Sequence, residues 1–266
     1  MRHFCACCGH ATLDEPPGRT GQICPVCFWE DSRIPEGDAG GWNGSNGVSL
    51  EEAQDNFQEM GACSPAFVQG VRPARPEESR DPAFLTIRGA QEASEAETRS
   101  LIHAAFAGLG GGTSLREAAL ECFGDPLKES PPFDLGRIRG WHDLTHETLC
   151  HSYFASAPSF LDPRGYRYHL PAYLCCWLDI HREEDPFGVL DRILWSLRDT
   201  WACPGVLARD GWHKDRFEIL TASQRHAVAH FLQHLARYET DTQTREDAQE
   251  ALDRGWSDLL APAAGA

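Results

Sequence analysis

The chain has 266 residues, enough for two ordinary domains with apolar cores, and its 41% hydrophobic and 24% charged residues are globular proportions. A net charge of −16 opposes binding to a phosphate backbone and favours a basic partner. The longest apolar run, Leu170 to Leu178, falls far short of the ~20 residues that cross a bilayer.

The N-terminus reads Met1-Arg2-His3-Phe4-Cys5, without an apolar stretch leading to a small-residue cleavage site, so the expected compartment is the cytoplasm. Thiols stay reduced there, and paired cysteines point to metal rather than to disulfides. Six of the eleven cysteines, Cys5, Cys7, Cys8, Cys24, Cys27 and Cys63, lie in the first 75 residues. Cys122, Cys150, Cys175, Cys176 and Cys203 are scattered through helical patterns and read as small buried hydrophobes.

Residues 1 to about 48 are rich in turn dipeptides, including Pro17-Gly18, Asn43-Gly44 and Asn46-Gly47, which favour short strands and tight turns. Within them Cys5-Ala6-Cys7-Cys8-Gly9 and Cys24-Pro25-Val26-Cys27 form two C-x2-C turns separated by fifteen residues. Such turns each aim two sulfurs at one ion, and two of them complete a tetrahedral shell. The predicted ligands of one structural zinc ion are therefore Cys5, Cys8, Cys24 and Cys27. Gly9 suits the first turn because it can take positive φ, whereas the second has Phe28 at that place. Cys7 competes for the first turn, and His3 and His10 are fallback ligands. Unligated thiols and a redox dithiol are the other readings, the latter without its βαβ setting. Four thiolates would close the shell to water, which makes the ion structural rather than catalytic.

Ser49 followed by Glu52 predicts a capped helix over 50–60 ending at Gly61, and Ser64-Pro65 opens a short turn or helix to about Val71. Residues 1–75 form the predicted cysteine-rich module and 76–91 a linker, with prolines at 73, 76 and 82 around the boundary. An all-α domain is predicted over 92–260. Its elements begin with Leu101, Ile102, Ala105 and Phe106 at helical spacing, stopped by Gly110-Gly111-Gly112. Ser114 with Glu117 caps a helix to about Phe123; Thr145 caps one through Cys150, and Asp162-Pro163 one toward Tyr168. Leu170, Tyr173, Leu174, Trp177 and Leu178 make an unbroken stripe and mark a core helix. Val189, Ile193, Leu194 and Leu197 mark another, Thr221 with Gln224 caps one through Tyr238, and 244–256 is the last.

His226, His230 and His234 recur every four residues and, on a helical wheel, lie opposite the stripe of Val228, Phe231, Leu232 and Leu235; two of them could chelate a metal at i, i+4, but no carboxylate or cysteine joins them at that spacing, and a solvated face is predicted. His142, His146 and His151 do not form HExxH, since one residue too many separates the last two. Neither a nucleophile elbow nor a P-loop occurs. No catalytic residue is assigned.

Cys5-Ala6-Cys7-Cys8-Gly9, Ile23-Cys24-Pro25-Val26-Cys27-Phe28-Trp29-Glu30-Asp31 and Asn46-Gly47-Val48-Ser49-Leu50, within residues 3–75, resemble the bacterial cysteine-rich CPCC family. Residues 98–258, through Trp141, Tyr166-Arg167-Tyr168 before Leu170-Pro171-Ala172-Tyr173-Leu174, and Gln224 to Leu232, resemble an all-α bacterial family of unknown function. The expected fold class is a small zinc-ribbon-like module with short strands and a helix, followed by an all-α domain. Small bacterial domains of this sort often accompany secreted toxins, so the resemblance implies an immunity protein that binds a basic toxin. The alternatives are a zinc-ribbon nucleic-acid or transcription factor, and a hydrolase using the region from His142 to His151.

Overall fold

A computed structural model describes residues 2–18, 20–32, 45–110, 114–115, 117–118, 138–151, 154, 157–179, 185, 187–198 and 212–260. The chain divides into two compact units, Met1–Ala93 and Ser94–Ala266.

The first unit starts with strands β1, His3–Phe4, and β2, Ala11–Leu13, an antiparallel pair whose register places His3 opposite Leu13. An isolated bridge between Ile23 and Glu30 closes a second hairpin. Asn46 completes that hairpin's edge: its side-chain oxygen accepts from the Glu30 amide at 2.8 Å and its side-chain nitrogen donates to the Glu30 carbonyl at 3.0 Å. Helix α1 spans Leu50–Met60, with the Ser49 hydroxyl accepting from the Glu52 amide and Gly61 in left-handed conformation at its end. Ser64 caps only a single 3-10 turn, Pro65–Phe67, a shorter element than its sequence signal suggests. The cap from Ser114 and Glu117 forms in both directions, while the rest of that expected helix lies outside the described residues, as does the Asn43-Gly44 turn.

Residues expected as a linker are in part tied down here. The Ala11 amide donates to the Ser79 carbonyl and the Asp81 amide to the Gly9 carbonyl. Glu78, with no exposed surface, accepts from Arg72 twice at 2.7 Å, from Arg2 at 2.9 Å and from the Arg75 amide at 2.9 Å. The guanidinium of Arg72, helped by the Arg75 amide and Arg2, outweighs burial and holds the Glu78 carboxyl down at about 2.

Helix α2, Ile87–Ala105, begins five residues before the predicted Glu92 because the buried Gln54 side chain accepts from the Ile87 amide at 2.7 Å, a cap supplied from α1. The second unit continues with α3, His146–Leu149; α4, Ala157–Phe160; α5, Pro163–Asp179; α6, Val189–Arg198; α7, Trp212–Glu218; α8, Ala222–Tyr238; and α9, Thr242–Ala251. Helix α5 unites the segment expected after Asp162 with the stripe from Leu170. Pro171 lies inside it, deprived of a backbone donor yet buried, as are Leu170, Tyr173, Leu174 and Trp177 around it. Helix α8 starts with the reciprocal capping box of Thr221 and Gln224. Phe106, Phe154, Leu161, Leu170, Leu174, Phe231, Leu232 and Trp256 have no exposed surface and define the apolar core. No helix among the described residues is long and apolar enough to cross a membrane.

Candidate metal centre

Two hairpin turns present the four predicted ligands, and they are built alike. In the first, the Cys5 amide donates to the His10 carbonyl and the Gly9 amide to the Cys5 carbonyl, both at 2.9 Å. In the second, the Cys24 amide donates to the Trp29 carbonyl and the Phe28 amide to the Cys24 carbonyl, both at 2.8 Å. Gly9 has φ 73° and Phe28 φ 69°, so the two turns need the same left-handed residue at the same place. A residue with a Cβ adopts that conformation at a cost of about 1–2 kcal/mol. Stacking of the Phe28 ring on Phe67, with centres 4.4 Å apart and planes at 18°, holds it there. At position 9 glycine is required twice over, because a Cβ would come within 2.5 Å of the Phe84 ring.

The turns bring Cys5, Cys8, Cys24 and Cys27 together with all four sulfurs within 4.8 Å of one another. Cys5 and Cys27 are 3.6 Å apart at sulfur, Cys8 and Cys24 3.7 Å. A tetrahedron of sulfurs about 2.3 Å from a central ion has edges of roughly 3.8 Å, so the spacing and the all-sulfur donor set fit a four-coordinate ion and are much too long for disulfides. None of the four sulfur-bearing residues exceeds 1% exposure. Such crowding cannot place four negative charges together without a cation. The hydrogen bond from Cys27, followed by those of Cys5 and Cys8, drives Cys24 down, and the Thr12 hydroxyl at 3.1 Å assists. Cys8 and Cys27 are pushed up, each chiefly by its hydrogen bond to Cys24.

Cys7 lies outside the group. Its thiol donates to the Ala53 carbonyl of α1 at 3.3 Å, which ties the helix to the first turn. Gln54 reinforces the joint by donating to the Ala6 carbonyl at 2.8 Å. Cys63 is a neutral thiol, pushed up to about 12 by burial. His10 Nδ1 pairs with the Glu78 carbonyl at 2.8 Å, and neither His10 nor His3 joins the four sulfurs.

The histidines of the second unit separate into different environments. His142 is largely exposed, with Asp143 at 3.8 Å. Among the described residues no second set of three histidine, cysteine or acidic groups lies close enough to share an ion. The predicted solvated row on α8 is corrected: His234 is only 7% exposed, and its Nδ1 pairs with the Ser94 hydroxyl at 3.1 Å, while His226 Nδ1 pairs with the Leu259 carbonyl at 2.7 Å. Helix α8 is covered on more than one side, with Gln224, Ala227, Ala229 and His234 buried beyond the stripe of Val228, Phe231, Leu232 and Leu235. Cys150, Cys175 and Cys176 are buried as expected, and burial pushes Cys175 up to about 11; Cys122 and Cys203 lie outside the described residues.

Fold and site together define a two-turn, four-cysteine module able to hold a metal ion, joined to a helical unit. Residues 3–78 match the Cysteine-rich CPCC family, and residues 94–259 match the family of unknown function DUF6714. The second match covers more than half of the chain, which therefore belongs to that family. No curated protein and no solved structure matches it.

Proposed function

We propose that the chain is a non-catalytic binding protein of the cytoplasm whose N-terminal unit is held by one structural zinc ion and whose partner is a basic protein. Zinc suits the four sulfurs because it accepts a regular tetrahedral thiolate set without a redox change. Cys5, Cys8, Cys24 and Cys27 would hold it, and their burial leaves no side open for water or substrate. The ion would organise the fold, not act on a bond.

The observation that carries the binding reading is the charge of −16, shared between the segments as −5 over residues 1–75 and −11 over the rest. Such a field accelerates encounter with a basic surface and repels nucleic acid. The finer reading is an immunity protein that neutralises a basic bacterial toxin. Co-expression with any basic toxin that a neighbouring gene encodes tests this. A protected host and a complex that weakens as salt rises are the expected results; killing that continues with no complex formed would sink the immunity reading.

A further inference from the structure

His226 and His230 stand one turn apart on α8, both partly buried, with ring centres 4.6 Å apart and planes at 67°. The Leu259 carbonyl can only accept, so the 2.7 Å contact with His226 Nδ1 is a donated N–H. In the neutral ring this leaves the lone pair on Nε2. Metal-ligating imidazoles are commonly fixed in this way, with the other nitrogen donating to a backbone carbonyl. His230 makes no hydrogen bond among the described residues, and burial, then the charge of His226, keeps its pKa below the ordinary value. Its lone pair is therefore available at neutral pH. Glu97 of α2, an exposed carboxylate, is the acidic group that acts on His230 from the packed neighbour.

The ring separation can be compared with what one ion requires. Two imidazoles bound at about 2.1 Å, with an angle at the ion between a right angle and a tetrahedral one, place their centres roughly 4.5–5.2 Å apart. The observed 4.6 Å falls inside that range. His234 continues the row but does not share the site, since its Nδ1 is engaged by Ser94 and its ring lies against Tyr238 at 5.3 Å.

We propose that His226 and His230 form a second, two-imidazole metal site, for a borderline divalent cation such as Zn2+ or Ni2+, with water completing the shell. Nitrogen and oxygen donors of this kind suit Ni2+, Cu2+ and Zn2+. Both rings are partly buried, and neither belongs to the group of four sulfurs.

The probe is Ni2+, dialysed against the zinc-loaded full chain with both metals counted. One Ni2+ per chain is expected, without loss of zinc. His230→Gln should weaken Ni2+ by more than the roughly 100-fold that loss of an outer-shell partner can cost at most. Circular dichroism checks that the variant keeps its helices. A second readout needs no variant: Ni2+ should protect His226 and His230 of the wild-type chain from diethyl pyrocarbonate, read by mass spectrometry, while exposed His142 stays reactive. Equal Ni2+ affinity in wild type and His230→Gln, or modification of His226 and His230 at the same rate with and without Ni2+, would overturn the site and leave the pair as an edge-on ring contact.

Discussion

The two units solve the same stability problem with different materials. In the first, six of the ten residues in the core cluster are cysteines, joined by Val26, Trp29, Leu50 and Ala53. In the second, the core runs from Ile102 to Trp256 through Phe106, Phe154, Leu170, Leu174, Phe231 and Leu232. Apolar burial contributes about 25 cal/mol per Å², which a large helical core collects many times over and a core this small cannot. The buried Glu78 cluster and Asp31, which accepts from the Gly18 and Thr20 amides at 3.0 Å, stand in for part of the missing apolar area, and the proposed metal–sulfur bonds would supply the rest.

Breaking the sulfur shell should produce the largest effect. Structural zinc sites carry apparent binding free energies of about 10–16 kcal/mol, more than a small domain's whole stability. Chelation, or Cys24→Ser, is expected to unfold the first unit and leave the helical signal of the second, which hydrogen exchange resolved by segment would read. Phe231→Ala should do the reverse. It costs about 3–5 kcal/mol by leaving a cavity, measured by denaturant melts of the second unit, with metal content unchanged. Position 9 sharpens the contrast on a smaller scale: Gly9→Ala should destabilise the first unit by at least about 1–2 kcal/mol, since it adds left-handed strain and strikes Phe84. Phe28→Gly should change stability less, because lost stacking on Phe67 is offset by relief of the same strain.

Acid should act on the two units through different groups. Burial pushes His169 down to about 4, so between roughly pH 6.5 and 4 the unfolded chain binds a proton that the folded one refuses. Stability of the second unit should fall as pH drops through that window. Glu78 is held at about 2, so its contribution is complete above the ordinary carboxyl value near 4.5 and is lost as pH falls from there toward 2. Segment-resolved exchange between pH 7 and 4 should show the second unit weakening through the His169 window.

What was legible in the sequence was local. The sulfur spacing, the Ser49 cap, the Thr221–Gln224 box and the stripe from Leu170 to Trp177 each involve residues within a few turns of one another, and each matches the structure. Contacts between distant positions were not legible. Glu78 meets Arg2 across 76 positions and Gln54 caps Ile87 across 33, so a segment with two prolines read as linker and α2 read as starting late. Phe28 is an intermediate case. The sequence marks it as standing where the first turn has glycine; only the backbone shows that it adopts the glycine conformation and which ring keeps it there.

X-ray absorption of the His230→Gln chain, purified without added metal so that the sulfur centre alone is sampled, tests the central claim most directly. A zinc edge at one ion per chain, with four sulfurs at about 2.3 Å and no lighter ligand in the first shell, is the predicted result. Iron in place of zinc, a shell containing nitrogen or oxygen, or metal far below one ion per chain would contradict it.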